Sequence, residues 1–324
     1  MEKALLESIQ KTLAYFDSAD YPLTREEVYS FLWTPPTPNS LVWGQAPAMG
    51  FAQFLEILKQ VQDDRKVETK FSYYFLPGRA GTVEARRARL AETEKKLKIA
   101  RRAAKKIRSA PFVKAVFVCN SVGMEQAKEE SDIDFFIVAA PRRVWLARFF
   151  TNLILRLWGL RVYGQKHKNR VCLSFYADSE HLNLENLRVA DDDIHFAYWI
   201  HQMIPIYDPG NYYANFLAAN SWTKKYLPNA LARFEVVSRL RLRDSRLGKI
   251  WKTIWEKMWA GTYGDLIEGQ VKALQMARLM FSLKEKAAAG DKSVVISDGI
   301  LKFHENDTRA KYREEWKLKI TNYQ

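Results

Sequence analysis

The chain has 324 residues, of which 48% are hydrophobic and 27% are charged. This length allows two or three domains with sizeable cores, and the composition excludes a peptide-sized module and a largely disordered chain. The formal net charge of +14 favours polyanionic partners such as nucleic acids, nucleotides or anionic lipids, without choosing among them. The two cysteines, Cys119 and Cys172, are too few for a disulfide framework or a cysteine zinc site and fit a reducing, cytoplasmic location.

We expect no membrane partner. The first residues lack the basic start, apolar stretch and cleavage site of a secretory signal. The longest apolar stretch, Val144 to Leu160, is interrupted by Arg148, Asn152 and Arg156 and is too short to span a bilayer. We interpret it as a buried helix, with a role at a membrane surface as the alternative.

The first 80 residues resemble a winged helix-turn-helix domain in layout. Apolar residues at three- and four-residue steps predict amphipathic helices. Thr24 and Glu27 have the spacing of a capping box, which predicts a second, short helix. Many small helical domains share this order, so the layout alone leaves other folds open. The predicted elements are helices over residues 4–16, 24–32 and 51–62 and a strand pair over residues 67–77.

Residues 81–110 are predicted to form a basic connecting helix. From Glu84 to Ser109 there are eleven Lys and Arg residues and only three Glu residues. Such a run is either an ordinary solvated helix face or a surface for the phosphate backbone of a nucleic acid, whose binding would then depend strongly on salt. For the second interpretation, the candidate nucleic-acid-binding residues are Arg101, Arg102, Lys105 and Lys106.

A small mixed-sheet core is predicted for residues 111–180, and a mainly helical C-terminal domain for residues 181–324. Short apolar runs rich in Val, Ile and Phe are typical of buried strands. In the C-terminal part, Trp251, Trp255 and Trp259 recur at four-residue spacing, a stripe more typical of core packing than of base stacking. The fold class is therefore α+β. The predicted core elements are strands over residues 113–119, 133–139 and 171–176 and a helix over residues 144–160.

Asp132 and Asp134 are the candidate metal ligands. Residues two apart on a strand point to the same face, so these carboxylates project together. Two like charges at this separation repel each other unless a divalent cation lies between them, and hard cations prefer carboxylate and phosphate oxygens. Upstream, the Ser121 hydroxyl and nearby backbone amides could hold terminal phosphates, and Gly123 could give that turn its conformational freedom.

The order of these residues resembles the signature of the polymerase-beta-like nucleotidyltransferase superfamily. An apolar strand ends in Asn120-Ser121, a ten-residue spacer follows, and then comes Asp132-Ile133-Asp134, preceded by Ser131 as is typical. The resemblance covers residues 111–140 and extends loosely to residue 178. It implies a nucleotidyltransferase core that binds Mg²⁺ or Mn²⁺ through both aspartates. It also implies a nucleoside triphosphate held by Asn120, Ser121, Gly123 and Ser131.

The sequence departs from the family pattern at two positions. The family has Gly where this chain has Asn120, which tolerates a left-handed backbone but adds a side chain beside the phosphate site. Active members usually carry a third carboxylate on the next core strand, and residues 171–176 contain no acid. Asp178 is the nearest substitute, with Glu180 behind it, and we expect Asp178 to assist the acceptor hydroxyl as a third catalytic residue.

The sequence thus predicts a metal-dependent nucleotidyltransferase that moves a nucleoside monophosphate from a triphosphate to a hydroxyl acceptor on RNA or another nucleic acid. Two alternatives stay open. One is a nucleic-acid-binding regulator with a degenerate nucleotidyltransferase domain. The other is transfer to a protein or to a small molecule such as an aminoglycoside. The segment from His304 through Glu305 and Asn306 to Asp307 could line a substrate cleft, although an exposed capped turn would also explain it.

Overall fold

The computed structural model describes residues 2–35, 50–230, 238–304 and 307–323. Helices combine with two β-sheets, one of them mixed, which confirms the predicted α+β class. Glu305 and Asn306 of the segment considered above lie outside the described residues. Among the described helices, none has both the length and the apolar character that crossing a bilayer requires.

The N-terminal part begins with helices and ends in a small antiparallel sheet. Thr24 caps the second helix: its hydroxyl accepts the Glu27 amide at 3.3 Å, and the Glu27 carboxylate accepts the Thr24 amide at 2.8 Å. The predicted capping box is therefore confirmed. The sheet has the order β1-β3-β2. The elements are α1 (Glu2–Asp17), β1 (Leu23–Thr24), α2 (Arg25–Ser30), α3 (Phe51–Asp63), β2 (Glu68–Lys70) and β3 (Tyr73–Phe75).

The predicted basic helix is confirmed as α4 (Thr82–Ile107). Part of its positive charge is structural. Arg86 is only 4% exposed, makes two hydrogen bonds of 2.6 and 2.7 Å to the Glu27 carboxylate, and lies 4.1 Å from the centre of the Tyr21 ring. This arginine therefore ties α4 to the N-terminal helices and is not available to an external partner.

The central sheet has six strands in the order β7-β4-β5-β6-β9-β8. Strands β4 and β5 are antiparallel, whereas β5 and β6 are parallel because a helix crosses over between them. The boundary predicted at residue 180 falls within this sheet, since three of its strands come from the C-terminal part. The elements are β4 (Val113–Cys119), α5 (Asn120–Gly123), β5 (Ile133–Ala139), α6 (Val144–Leu157), β6 (Val171–Asp178), β7 (Ile204–Tyr207), β8 (Val294–Ile296) and β9 (Ile300–Phe303).

Alternating side chains of the central strands bury both faces of the sheet. On one face, Val116 and Ile137 pack with residues of α4 and α6. On the other face, Phe117 and Phe136 pack under the helices Ile194–His201 and Tyr212–Ala219. The N-terminal helices form a third core with residues of two C-terminal helices, Ile194–His201 and Arg309–Tyr323. The remaining helices are α7 (Ile194–His201), α8 (Tyr212–Ala219), α9 (Arg246–Met258), α10 (Gly261–Ala277), α11 (Phe281–Ala288) and α12 (Arg309–Tyr323).

Candidate metal and nucleotide site

Asp132 and Asp134 converge at one edge of the central sheet, where β4 ends and β5 and β6 begin. Asp134 pairs with Cys119 on β4 and with Cys172 on β6. Ligand atoms of Asp132, Asp134 and Cys172 all lie within 4.8 Å of one another. The sequence analysis did not include Cys172 in the site. Its position follows from the parallel pairing of β5 with β6, which the helical crossover between the two strands could have indicated.

The two carboxylates lie in an environment that disfavours their ionisation. Asp134 is 7% exposed, and burial together with the Asp132 charge raises its pKa to about 7. Burial also raises the pKa of Asp132, against the opposing influence of His167, Arg161 and Lys96. A cation bound between them would favour ionisation of both acids, because it stabilises the charged form of each.

The turn after β4 takes the conformation that its sequence allows. Asn120 has φ of +53°, in the left-handed region that Asn tolerates, and its side-chain oxygen accepts a hydrogen bond of 2.7 Å from the Trp199 indole. The Asn120 side chain also bonds to Asp134 and lowers its pKa. Ser121 is half-buried one residue further on. The Asn120 side chain therefore bonds to both α7 and Asp134.

Gly123 has a different role from the one expected. Its φ is not in the left-handed region, so the turn does not need glycine for backbone freedom. Instead, a Cβ atom at this position would lie 2.9 Å from the Val118 carbonyl oxygen and 3.2 Å from that of Gln202. Glycine is required because two backbone segments approach it closely.

The loop that leads to Asp132 is held by Ser131 and Lys96. The Ser131 hydroxyl accepts a hydrogen bond of 3.0 Å from the Lys128 amide, within the loop itself. The buried ammonium of Lys96 donates to the carbonyl oxygens of Glu129 and Ser131 at 2.9 and 2.8 Å. Ser131 therefore shapes the loop before the candidate metal ligands, and Lys96, which no sequence pattern indicates, fixes that loop.

Asp178 is not part of this site. It pairs with Ala139 at the far end of β5, six residues from the Asp134–Cys172 pair and so about 20 Å away along the strand. Its carboxylate accepts the backbone amides of Glu180 and His181 and the His181 side chain. The expectation that Asp178 supplies the third carboxylate is wrong, because parallel strands carry their C-terminal ends to the edge opposite the site.

Ser174 and His304 occupy the position near Asp134 instead. The Ser174 hydroxyl lies 3.4 Å from an Asp134 carboxylate oxygen and 3.3 Å from the His304 Nε2 atom. Burial lowers the pKa of His304 to about 4, so its ring is neutral at physiological pH. His304 follows β9, which joins the sheet from more than 100 residues beyond β6.

A cavity of about 240 Å³ opens beside the turn. It contains aromatic rings, with His195 and Tyr312 stacked at 4.7 Å, and two cationic groups. Arg309 is paired with Asp307 at 2.7 Å, so its charge is partly compensated. The residues of the cavity that bear on a ligand are Asn120, Ser121, Trp199, Lys302, His304 and Arg309.

The candidate nucleic-acid-binding residues lie away from the metal site. Arg101, Arg102 and Lys105 are exposed near the C-terminal end of α4, and the Lys106 ammonium lies 3.1 Å from the centre of the Trp158 ring. Lys96 touches the Asp132 loop, and Lys106 is ten residues further, about 15 Å along the helix. A nucleic acid that contacted both the candidate metal site and the basic C-terminal end of α4 would have to lie along this helix.

No protein-family model, curated protein or solved structure matches this chain. The functional argument therefore depends on the geometry of the site and on the sequence signature.

Proposed function

We propose that this protein is a metal-dependent nucleotidyltransferase, which moves a nucleoside monophosphate from a nucleoside triphosphate to a hydroxyl acceptor. The observation that carries the proposal is the meeting of Asp132 and Asp134 with the Asn120-Ser121 turn at one edge of a mixed sheet. That arrangement agrees with the sequence signature in both the type and the order of its residues. A surface acidic turn would not be buried and would not adjoin a cavity.

The donor set fits a divalent cation. The Asp132 and Asp134 carboxylates are partly or fully buried without a salt-bridge partner among the described residues, which favours a bound positive charge. Mg²⁺ or Mn²⁺ held there would neutralise triphosphate charge and make the α-phosphorus more electrophilic. The Cys172 sulfur is a soft donor, which favours Mn²⁺ over Mg²⁺ at this position.

The chain's own groups suit the rest of the reaction. The acceptor hydroxyl oxygen bonds to the α-phosphorus while the bond from that phosphorus to the bridging oxygen breaks, and pyrophosphate leaves. His304 is neutral and lies near the carboxylates, so its Nε2 atom is suited to take the hydroxyl proton. Ser121 and the amides of its turn would hold phosphate oxygens, while Trp199 and Tyr312 offer apolar surface for a base.

A nucleic acid, with RNA as one candidate, is the acceptor that the other regions support. The order α1-β1-α2-α3-β2-β3 and the antiparallel strand pairing agree with a winged helix-turn-helix. Helix α4 adds the exposed basic residues Arg101, Arg102 and Lys105. A protein or a small-molecule acceptor remains the alternative, because the cavity itself does not distinguish these acceptors.

Label transfer tests the proposal directly. The protein is incubated with each labelled nucleoside triphosphate, with Mg²⁺ or Mn²⁺, and with total RNA, DNA and protein as acceptors. We expect metal-dependent transfer that Asp132→Asn and Asp134→Asn abolish and that Asp191→Asn retains, since Asp191 is an almost fully exposed acid outside the site. Absence of transfer to every acceptor by the wild-type protein would contradict the proposal.

The second candidate is a nucleic-acid-binding regulator with a degenerate nucleotidyltransferase domain. The observation that favours it is the lack of a third carboxylate, because Cys172 and Ser174 stand beside Asp134 and Asp178 lies at the far edge. This candidate predicts salt-sensitive DNA or RNA binding without transfer. Replacement of Arg101, Arg102, Lys105 and Lys106 by Ala should then weaken binding and reduce its dependence on salt, and unchanged affinity would exclude these residues.

A further inference from the structure

Helix α9 directs an apolar stripe into solvent. None of its residues is buried, and the stripe recurs at three- and four-residue steps. A helix of a globular protein normally turns such a stripe toward the core. The side chains of the stripe are Leu247, Ile250, Trp251, Ile254 and Met258, with exposed fractions of 80, 58, 52, 53 and 51%.

The other side of α9 attaches it to the sheet. The Lys252 ammonium donates to the Val113 carbonyl oxygen, and a Glu256 carboxylate oxygen accepts the Phe112 amide at 3.0 Å. Trp255 contacts the Phe150 ring on α6. The expected packing of the tryptophan stripe thus holds for Trp255 and Trp259, which also stacks on Phe150, but not for the exposed Trp251. Polar and aromatic contacts hold the helix, and the side that carries Leu247, Ile250 and Ile254 is exposed in the part of the chain that the structure describes.

Two neighbouring helices, α6 and α10, also expose large apolar side chains. Phe150 joins α6 to α9, and the Glu268 carboxylate joins α10 to α6 by accepting the amides of Trp145 and Leu146. Most of the large apolar side chains that are exposed in the described residues lie on these three helices or at their ends. We call these exposed side chains the apolar face. It consists of the α9 stripe together with Phe149, Leu153, Leu157, Trp158, Tyr263, Leu266 and Leu274.

Cationic residues flank the α9 stripe. The exposed charged residues of α9 are Arg246, Lys249 and Lys257, and all three are cationic. At the α6 end, the contact of Lys106 with Trp158 connects the face to the basic end of α4. An exposed apolar stripe with Trp at its centre and Lys and Arg at its margins is the composition of helices that lie in a membrane interface.

We infer that the apolar face docks on an anionic phospholipid bilayer. The apolar side chains would enter the acyl boundary, and the surrounding cations would meet the negative headgroups. A second copy of the chain fits less well, because pairing identical faces would oppose their positive margins. A nucleic acid also fits less well, because its phosphate backbone would not stabilise exposed Leu, Ile and Met side chains. No described helix has the length and apolar character needed to cross the bilayer, so the inferred contact is one with its surface.

Vesicle flotation with the full chain tests the inference. The probes are vesicles of equal parts phosphatidylglycerol and phosphatidylcholine, and vesicles of phosphatidylcholine alone. We expect flotation with the first and not with the second, and partial loss at high salt. Ile254→Glu with Trp251→Glu should weaken binding by more than about tenfold, because both side chains would have to enter an apolar medium as charged groups. Phe71→Glu, at a 68% exposed residue of the β2–β3 turn, is the matched control and should bind normally.

A pair of charge-reversal substitutions separates the electrostatic contribution to vesicle binding from the apolar one. Lys249→Glu with Lys257→Glu should reduce binding to anionic vesicles, whereas Lys59→Glu, at an exposed position of α3, should not. All of these positions are exposed, so the variants should fold, and circular dichroism checks this. Two results would overturn the inference. One is absence of flotation with anionic vesicles. The other is a dimer in analytical ultracentrifugation that Ile254→Glu with Trp251→Glu dissociates while vesicle binding is unchanged.

Discussion

Lys96 donates a hydrogen bond of 2.8 Å to the carbonyl oxygen of Ser131, the residue immediately before the candidate metal ligand Asp132. A second bond of 2.9 Å reaches the Glu129 carbonyl, and a third of 3.1 Å reaches the Asn169 side chain. Three acceptors for one buried ammonium satisfy all of its donors. One residue of the basic helix therefore sets the path of the chain into the metal site.

The first prediction concerns Lys96→Met, which keeps the aliphatic stem and removes the three donors. The free energy of unfolding should fall by about 2–4 kcal/mol, because the three hydrogen bonds of the buried ammonium are lost. Affinity for Mn²⁺ should fall as well, since the Asp132 loop loses its anchor. Urea unfolding and calorimetric metal titration measure the two effects. Lys98→Met, at an exposed position of the same helix, should change neither, and equal effects of both variants would contradict the role of Lys96.

The sequence alone predicts those features of the site that depend on residues close together in the chain. The strand alternation that makes Asp132 and Asp134 point to one face has a period of two residues, so it can be recognised without any knowledge of the fold. The capping box at Thr24 was equally local. By contrast, Asp178 was chosen because it was close in sequence to the third strand. The orientation of that strand, set by the α6 crossover, carries it to the wrong edge.

The rest of the site depends on distant parts of the chain. His304 contacts Ser174 only because β9 pairs with β6. No local sequence pattern predicts a pairing between strands separated by more than 100 residues. Trp199, which holds the Asn120 side chain, comes from α7. Their sequence neighbourhoods look like an ordinary buried helix and a polar turn, so tertiary structure was needed to assign them.

The second prediction concerns the pH dependence of stability in the metal-free protein. Because the pKa of Asp134 is raised to about 7, the native state keeps a proton that the unfolded state releases above its ordinary pKa of about 4. The contribution of Asp134 to stability should therefore fall as the pH rises from about 4 to 7 and level off above 7, and comparison with Asp134→Asn separates it from the opposite contribution of buried histidines such as His304. Asp134→Asn should be more stable than the wild type at pH 8, by at most roughly 4 kcal/mol, and should gain little at pH 4.

Thermal unfolding in the presence of a chelator, at pH 4 and pH 8, measures this difference. Added Mn²⁺ should raise the midpoint of the wild type at pH 8 and leave that of Asp134→Asn almost unchanged, since only ionised ligands bind the cation. Asp191→Asn is the control and should follow the wild type at both pH values. The same pH profile in wild type and Asp134→Asn would show that Asp134 is not the group responsible.

The third prediction concerns the metal preference that Cys172 confers. Its sulfur lies with the two carboxylates and gives the site a softer donor than a third carboxylate would. The wild type should bind Mn²⁺ or Co²⁺ more tightly than Mg²⁺, and the Co²⁺ complex should show a thiolate-to-metal charge-transfer band. Cys172→Ser should remove the band, and Cys172→Asp should shift preference toward Mg²⁺ by about tenfold. A Co²⁺ complex without the band would rule out Cys172 as a ligand.

The fourth prediction concerns His304 as the group that accepts the hydroxyl proton. His304→Gln keeps a polar side chain of similar reach and removes the basic nitrogen. The value of kcat for nucleotidyl transfer should fall by about 10²–10⁴-fold while the Kd for the triphosphate changes little. His181→Gln, at a half-exposed histidine on the far edge of the sheet, should leave both unchanged. Loss of triphosphate binding in His304→Gln, with kcat preserved, would assign His304 to positioning instead.

The fifth prediction concerns the close approach at Gly123. In Gly123→Ala the new methyl group would lie 2.9 Å from the Val118 carbonyl oxygen and 3.2 Å from that of Gln202, and neither backbone atom can move without displacing β4 or the end of α7. We expect a loss of about 1–3 kcal/mol in the free energy of unfolding and weaker triphosphate binding, because the Asn120-Ser121 turn would shift.

Gly269→Ala is the matched control: it lies inside α10 with open space around its Cβ position. It should be neutral or stabilising by up to about 1 kcal/mol, since Ala favours a helix over Gly. Equal stability of the two variants would mean that the backbone relaxes around residue 123, in which case the turn is not the rigid phosphate-binding element that the proposed function requires.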